Sequence, residues 1–265
     1  MNSVNKTMYI PLYGKAYVSQ RGLFIQDKKA EEIWEKEKFK LKGKSKSKWL
    51  AYYMGIRSAV IDEWLKMLMV DMPNAVVIYL GCGMDSRALR VGTNGHKWYD
   101  VDFAEVINER KRYYAQTDNY KMIAGDIREQ AWLNEIQENQ TAIVVMEGVS
   151  MYINSDELKH VIENLDARFQ NVSLIMDCYT VFAAKMSKLK NPINDVGVRV
   201  VNGIDEPNLL ATNNLHFKKE LTMTPQKFID QLKGFEKFIF KKLYAGKISK
   251  KLYKLYEFKT ASSKI

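Results

Sequence analysis

The chain has 265 residues, a net charge of +10, a hydrophobic content of 46% and a charged content of 27%, which is the composition of a globular protein. No apolar run approaches the ~20 residues of a membrane span, and the N-terminus lacks the apolar stretch of a secretory signal. Cys82 and Cys178 are the only cysteines, which excludes a disulfide framework and a cysteine metal site, so we expect a cytoplasmic location and no metal.

The positive charge is concentrated in lysine-rich stretches at 36–48 and 241–259. Such stretches either attract an anionic partner (nucleic acid, a membrane surface or an acidic substrate) or form a solvated face that keeps a protein soluble. Arginine is sparse and the lysines are spread over several predicted elements, which favours the solvated face. We therefore expect neither nucleic acid nor a membrane as a partner.

Helical patterns fill the N-terminal part of the chain, residues 1–70. Ala30–Phe39 and Lys48–Met69 carry apolar residues at the spacing of one helix face. The lysine run between them contains glycine and serine, which predicts a loop.

Strands and helices alternate from Ala75 onward. Strands are predicted at 75–80, 97–102, 120–124, 142–147 and 172–179. Helices are predicted at 86–90, 104–117 and 155–169. The last of these helices has Asn154 at its N-cap and Glu157 three residues later, which is a capping-box pattern. The alternation predicts an α/β fold, with a parallel sheet covered by helices on both faces.

The C-terminal part is less regular. Residues 181–223 are rich in Asn and Asp, and we expect them to form a lid or insertion that selects the substrate. A helix is predicted from Pro225 to Gly234, and the aromatic-rich runs 235–244 and 252–259 are predicted to form a closing hairpin. We expect one domain in four parts: a helical extension (1–70), a core (75–180), the lid (181–223) and a closing unit (224–265).

The first predicted strand ends in a glycine turn, Gly81-Cys82-Gly83. Glycine lets the backbone approach a ligand closely, and Asp102, about 20 residues further on, ends the next strand, where an acid can accept ribose hydroxyls. Ser86 stands where a dinucleotide fingerprint would have its third glycine. The pattern therefore favours a single nucleoside over a dinucleotide.

Acids also follow the next two strands. Asp102, Asp126 and Glu147 each lie at a strand end, and the carboxyl ends of parallel strands border one crevice. Three acids suit ribose hydroxyls, an adenine amino group and a positive sulfonium, and they would repel a pyrophosphate. This pattern favours S-adenosylmethionine (SAM).

Other roles remain open for several of these residues. Asp85 and Asp126 could instead cap helices, and Arg57 could form a surface ion pair. Cys82 is predicted to be a buried filler and not a nucleophile. Tyr152 is as consistent with the core as with a substrate-facing position.

Several segments together resemble the leucine carboxyl methyltransferase family, in particular its bacterial polyketide-type branch. The segments are 11–16 (PLYGKA), 57–62 (RSAVID), 80–87 (LGCGMDSR), 99–103 (YDVDF), 125–128 (GDIR), 147–152 (EGVSMY) and 200–207 (VVNGIDEP). The resemblance implies a Rossmann-like class I fold with a mostly parallel seven-stranded sheet. It also implies a SAM-dependent O-methyltransferase whose product is S-adenosylhomocysteine.

The resemblance further implies roles for individual residues. Arg57, assisted by Lys15, would pair with the SAM carboxylate, and Asp102 would bind the ribose. The loop Gly81, Cys82 and Gly83 would pass beneath the methionine part, Asp126 and Ile127 would hold the adenine, and Glu147 would lie near the amino group or sulfonium. Val101 and Gly148 complete the expected cofactor contacts.

The acceptor is expected to be a carboxylate or a hydroxyl of a small, polyketide-like or carrier-bound molecule. A carboxylate needs no general base, and the three histidines show no catalytic or metal-binding spacing. Tyr152 and Arg199 are candidates to position the acceptor. A SAM-binding sensor without turnover and a nucleic-acid methyltransferase are the alternative functions.

Overall fold

A computed structural model describes residues 5–37, 39, 41, 43–187, 202–246 and 249–261. The α-helices are α1 (Tyr9–Ser19), α2 (Lys28–Glu37), α3 (Lys48–Asp71), α4 (Arg87–Val91), α5 (Ala104–Arg110), α6 (Ser155–Arg168), α7 (Val181–Ser187), α8 (Gln226–Ile229) and α9 (Gly234–Leu243). The strands are β1 (Val76–Leu80), β2 (Trp98–Asp102), β3 (Tyr120–Ala124), β4 (Thr141–Met146), β5 (Asn171–Tyr179), β6 (Leu215–Leu221) and β7 (Tyr253–Thr260). Short 3-10 helices occupy Asn5–Met8, Gly43–Lys46, Ala131–Glu135, Ser150–Tyr152, Pro207–Leu210 and Ser249–Lys251.

The seven strands form one sheet in the order β3-β2-β1-β4-β5-β7-β6. The first five of these are parallel, and β7 lies antiparallel between β5 and β6. All five strands predicted from the alternating pattern are present, so the predicted mostly parallel sheet is confirmed.

Both faces of the sheet are covered. Alternate side chains of a strand point to opposite faces, and in β1 Val77 packs with the cluster that contains α3, while Ile78 packs with the cluster that contains α6. Every residue of β1 is therefore buried, which explains why this strand reads as a continuous apolar run.

The N-terminal helices and the capping box agree with the prediction. α1 packs against α2 and α3, and Asn154 and Glu157 exchange the two capping hydrogen bonds at the start of α6. α5 is shorter than predicted and ends at Arg110. The chain then turns, and the backbone of Thr117 bonds with Tyr120 at the start of β3. None of the described helices has both the length and the apolar character needed to cross a membrane.

The predicted closing hairpin is wrong. Residues 235–244 lie mostly within α9, and the antiparallel partner of β7 is β6, which lies inside the segment expected to form a lid. β6 is an edge strand whose side chains are mostly solvent-exposed, so its sequence lacks the alternation of a half-buried strand. The helix expected to end at Gly234 is also wrong, because α8 ends at Ile229 and Gly234 begins α9.

Candidate functional site

A cavity of about 360 Å³ lies at the carboxyl ends of the parallel strands. Its wall includes residues that follow β1, β2, β3 and β4, as expected for a ligand site in a parallel sheet. The N-terminal helices supply the opposite wall, with Leu12 and Lys15 of α1 and Leu50, Met54 and Arg57 of α3.

Most residues predicted to bind the cofactor or acceptor line this one cavity. They are Lys15, Arg57, Gly81, Cys82, Gly83, Asp102, Asp126, Ile127, Glu147, Gly148 and Tyr152. Val101 differs, because its side chain packs in the core and its carbonyl oxygen accepts the N–H groups of Gly81 at 2.8 Å and Cys82 at 3.4 Å. Arg199 lies outside the described residues.

The glycine turn is shaped by close packing. Gly81 and Gly83 have φ angles of +67° and +50°, a region that favours glycine. A Cβ on Gly81 would lie 2.2 Å from Cγ2 of Val149, and one on Gly83 would lie 3.2 Å from Cβ of Met8. A side chain at position 81 therefore has no room, and the bare backbone of the turn borders the cavity.

Asp102 links this turn to the following helix. Its Oδ2 accepts the N–H of Gly83 at 2.7 Å, and its Oδ1 accepts the N–H of Phe103 at 2.8 Å. Burial raises the pKa of the Asp102 carboxyl to about 6, against the lowering effect of these two hydrogen bonds. Each carboxylate oxygen retains lone-pair capacity for a further donor, so Asp102 can accept hydrogen bonds from a ligand.

Glu147 lies at the centre of a buried charge cluster. Its Oε1 accepts Nη2 of Arg57 at 2.8 Å and Oγ of Ser58 at 3.0 Å, and its Oε2 accepts Nη2 of Arg87. Lys15 Nζ lies 3.7 Å from Oε1. Burial would raise the pKa of Glu147, but Lys15, Arg87 and Arg57 together hold it well below its usual range, so Glu147 is ionised.

Asp85 occupies the second centre of this cluster. Lys15 Nζ lies 2.7 Å from its Oδ2, Arg90 Nη1 donates to its Oδ1 at 2.9 Å, and the hydroxyl of Tyr79 donates to Oδ2 at 2.9 Å. Burial opposes ionisation of Asp85, but Lys15, Arg90 and Arg87 lower its pKa well below the usual value. Asp85 thus joins α1 and α4 at the cavity and does not cap a helix.

The cluster as a whole carries an excess of negative charge. Its cations are Lys15, Arg57, Arg87 and Arg90, and its carboxylates are Asp27, Asp62, Asp85, Glu147 and Asp177. Four cations face five carboxylates, so the described cluster is formally one negative charge in excess. A positively charged ligand group beside it would be stabilised.

Asp177 is a site residue that the sequence interpretation missed. It is fully buried near the end of β5. Its Oδ2 accepts Nη1 of Arg57 at 2.7 Å and the hydroxyl of Tyr253 at 2.5 Å, and its Oδ1 accepts the N–H of Gly148 at 2.6 Å. The signal was present in the sequence, because an acid inside an otherwise apolar strand is rarely buried without a partner.

Asp126 stands in a more open part of the cavity. Arg128 donates its backbone N–H to Oδ1 at 3.0 Å and its guanidinium to both carboxylate oxygens, and the hydrogen bond with Arg128 lowers the pKa of Asp126. Ile127 and Gly125 line the wall beside it. In this position Asp126 organises a turn after β3 and does not cap a helix.

Tyrosines contribute to the wall near Arg57. Tyr152, Tyr179 and Tyr253 line the cavity, and the rings of Tyr179 and Tyr253 lie with their centroids 4.9 Å apart. Burial raises the pKa of the Tyr152 hydroxyl above its usual value. Burial also raises the pKa of the Cys82 thiol, as expected for a filler side chain.

Comparisons with known proteins point to a methyltransferase family. Residues 10–166 match the leucine carboxyl methyltransferase family. The chain is 27% identical over 186 residues to the tetracenomycin polyketide synthesis O-methyltransferase TcmP of Streptomyces glaucescens, covering 69% of each protein. It is 24% identical over 185 residues to the S-adenosyl-L-methionine-dependent methyltransferase dpfgK of Gibberella zeae, covering 64% of this chain and 62% of that protein.

Solved structures show the same fold at low identity. Magnesium protoporphyrin IX methyltransferase from Synechocystis PCC 6803, with bound S-adenosylhomocysteine, matches with a TM-score of 0.53 at 13% identity, covering 87% of this chain and 94% of that one. A DUF574 family protein from Streptomyces avermitilis matches with a TM-score of 0.58 at 8% identity, covering 88% and 90%. With a family match over more than half of its length, this chain belongs to the leucine carboxyl methyltransferase family and is a SAM-dependent methyltransferase.

Proposed function

We propose that this protein transfers a methyl group to a carboxylate oxygen of an organic acceptor and so forms a methyl ester. The observation that carries the proposal is that no described residue lining the cavity is placed to act as a general base. A carboxylate has a pKa of about 4 and is already ionised at neutral pH. A phenol or an alcohol would have to lose a proton during the reaction, and a base would assist it.

Each acid in the described wall of the cavity is paired with a cation or, in the case of Asp102, bonded to the backbone and assigned to the ribose of the cofactor. The wall contains no histidine. Asp85, Asp126 and Glu147 each hold at least one cationic side chain, and Asp102 accepts two backbone N–H bonds. The raised pKa of Tyr152 keeps its hydroxyl neutral at physiological pH. The chain's own contribution is therefore to bind and align, which can supply about 7–11 kcal/mol of a barrier.

The described residues fit SAM as the methyl donor. Asp102 can accept the ribose hydroxyls, and the turn at Gly81 and Gly83 lets a ligand approach the bare backbone. The negative excess around Glu147 suits the amino group and the sulfonium. Arg57 has five N–H groups, and four of them donate hydrogen bonds to Glu147, Asp177 and Tyr253. The fifth N–H group is left for a ligand carboxylate. When bound, SAM supplies a methyl group that its positive sulfur has already activated.

The other cofactor contacts belong to the same proposal. Lys15 would add positive charge beside the SAM carboxylate, while Asp126 and Ile127 would border the adenine. These roles are supported by the fact that all three residues line the same cavity. Cys82 and Gly148 would contact SAM through their backbone atoms, because the Cys82 side chain is buried and Gly148 has a φ of +74°.

We further propose an acceptor with an apolar or aromatic body. Leu50 and Met54 of α3 line the cavity together with Tyr152 and Tyr179, and such a surface matches apolar groups. The similarity to a polyketide O-methyltransferase supports the same class of acceptor. Tyr152 would help to position it.

The experiment is a transfer assay with methyl-labelled SAM. Matched acceptors, each an aromatic carboxylic acid and the corresponding phenol, are incubated with the wild type and with Asp102→Asn. A methyl ester releases labelled methanol in mild alkali, whereas a methyl ether does not. We expect alkali-labile label from the acids, and label that resists alkali, formed on the phenols alone, would overturn the proposal.

A further inference from the structure

Helix α9 presents an apolar face to solvent. Phe235 is 75% exposed, and Phe238 and Leu243 are each 59% exposed. Phe235 and Phe238 are three residues apart and so project from neighbouring positions on one side of the helix. Clustered exposed aromatic residues are unusual on a monomer and mark an interaction surface.

The opposite face anchors the helix so that these rings cannot turn inward. Phe240 is fully buried, and its ring packs against those of Tyr52 and Tyr244. Glu236 accepts Nζ of Lys48 at 2.6 Å and the hydroxyl of Tyr52 at 2.8 Å. These four contacts, to α3 and to the turn after α9, thus fix which side of α9 faces outward.

Lysines surround the apolar face. Lys233, Lys241 and Lys242 lie in or beside α9 and form no ion pair with any described residue. Nζ of Lys242 lies 5.9 Å from the centre of the Phe238 ring. Between 233 and 243 the sequence has four lysines and a single acid, Glu236, so the face combines apolar protrusions with a positive rim.

We propose that α9 docks on the surface of a membrane that contains anionic lipid. Phe235, Phe238 and Leu243 would insert among the headgroups, and the lysines would pair with lipid phosphates. A lipid surface fits better than a protein partner, because the exposed rings protrude and line none of the described cavities. This peripheral contact departs from the expectation that no membrane is a partner, which rested on interpreting the lysine-rich stretches as a solvated face.

The experiment is sedimentation with vesicles of phosphatidylcholine alone or mixed with phosphatidylglycerol. We expect the wild type to bind the mixed vesicles and to bind less as salt rises. In Phe235→Ser/Phe238→Ser, binding should fall by about tenfold or more, and Lys241→Gln/Lys242→Gln should weaken binding to the mixed vesicles. SAM affinity in solution, measured on the same variants, should stay unchanged.

Met67→Ser/Val70→Ser is the matched control. Met67 and Val70 have the same three-residue spacing on α3 and are 51% and 80% exposed, so this variant removes exposed apolar area elsewhere. It should bind vesicles like the wild type. No binding of the wild type to mixed vesicles, or equal binding by the phenylalanine variant, would overturn the proposal. The proposal would also be overturned if the wild type did not bind vesicles but self-associated, or bound polyglutamate, in a way that depends on Phe235 and Phe238.

Discussion

Nη1 of Arg57 lies 2.7 Å from Oδ2 of Asp177 inside the protein. The hydroxyl of Tyr253 bonds to both partners, and the other carboxylate oxygen of Asp177 holds the N–H of Gly148. Asp177 therefore connects α3, β7 and the turn after β4 at one wall of the cavity. Residues that orient a ligand-binding side chain often matter nearly as much as that side chain itself.

Asp177→Asn should weaken SAM binding by about tenfold. The amide can keep the Gly148 bond only by turning its NH₂ group toward Arg57, where two donors would meet. Calorimetric titration with SAM measures the effect, and Tyr253→Phe, which keeps the carboxylate, should lose less. Wild-type SAM affinity in Asp177→Asn would show that Arg57 needs no such support.

SAM affinity should depend on pH through Asp102. The pKa of Asp102 is raised to about 6 by burial, and hydroxyl donors bind the ionised form, so affinity should fall as pH drops below about 6, approaching tenfold per pH unit. Asp102→Asn should bind SAM weakly, and its affinity should not change with pH through this residue. Titrations between pH 5 and pH 8 measure it, and a flat profile in the wild type would contradict the assignment.

The same raised pKa has the opposite effect on folding. Because the folded carboxyl has a pKa of about 6 and its ordinary value is 3.8, the folded state binds more protons between these values. This contribution to the free energy of unfolding is therefore present at low pH and is lost as pH rises through about 6. Urea unfolding of the wild type and Asp102→Asn across this range isolates it.

Gly81→Ala should abolish SAM binding and destabilise the fold. The new Cβ would lie 2.2 Å from Cγ2 of Val149 at a φ of +67°. Gly22→Ala is the matched control, because Gly22 has a φ of +64° and nothing within 4 Å of a Cβ. The free energy of unfolding of the control should fall by only about 1 kcal/mol, which is the cost of placing alanine in this backbone conformation. Equal loss in both variants would mean that the close approach to Val149 has no effect.

Arg87→Met should lower the free energy of unfolding by about 3 kcal/mol, because Glu147 and Asp62 each lose one buried cation and keep only partners such as Arg57 and Arg90. Arg128→Met removes a pair in which Arg128 is 43% exposed, and exposed pairs contribute about 0–1 kcal/mol. Urea denaturation of both variants gives the comparison. Similar losses would show that burial does not decide the contribution of these pairs.

The sequence by itself determined the five parallel strands and much of the cavity wall. Strands buried on both faces read as continuous apolar runs, and in a parallel sheet their carboxyl ends must meet, so acids such as Asp102 and Glu147 converge wherever such strands end. Local signals of this kind act over a few residues. The capping box of Asn154 and Glu157 is confirmed for the same reason.

Only the tertiary structure decided which charges meet and how the C-terminal part folds. Asp177 and Arg57 are 120 positions apart, and nothing in either local pattern indicates the pairing. The predicted hairpin gave β7 the residues of α9 as its partner instead of β6, and this error has a related cause. β6 is held by its hydrogen bonds to β7, and α9 by the burial of Phe240, so contacts distant in sequence override a weak local pattern.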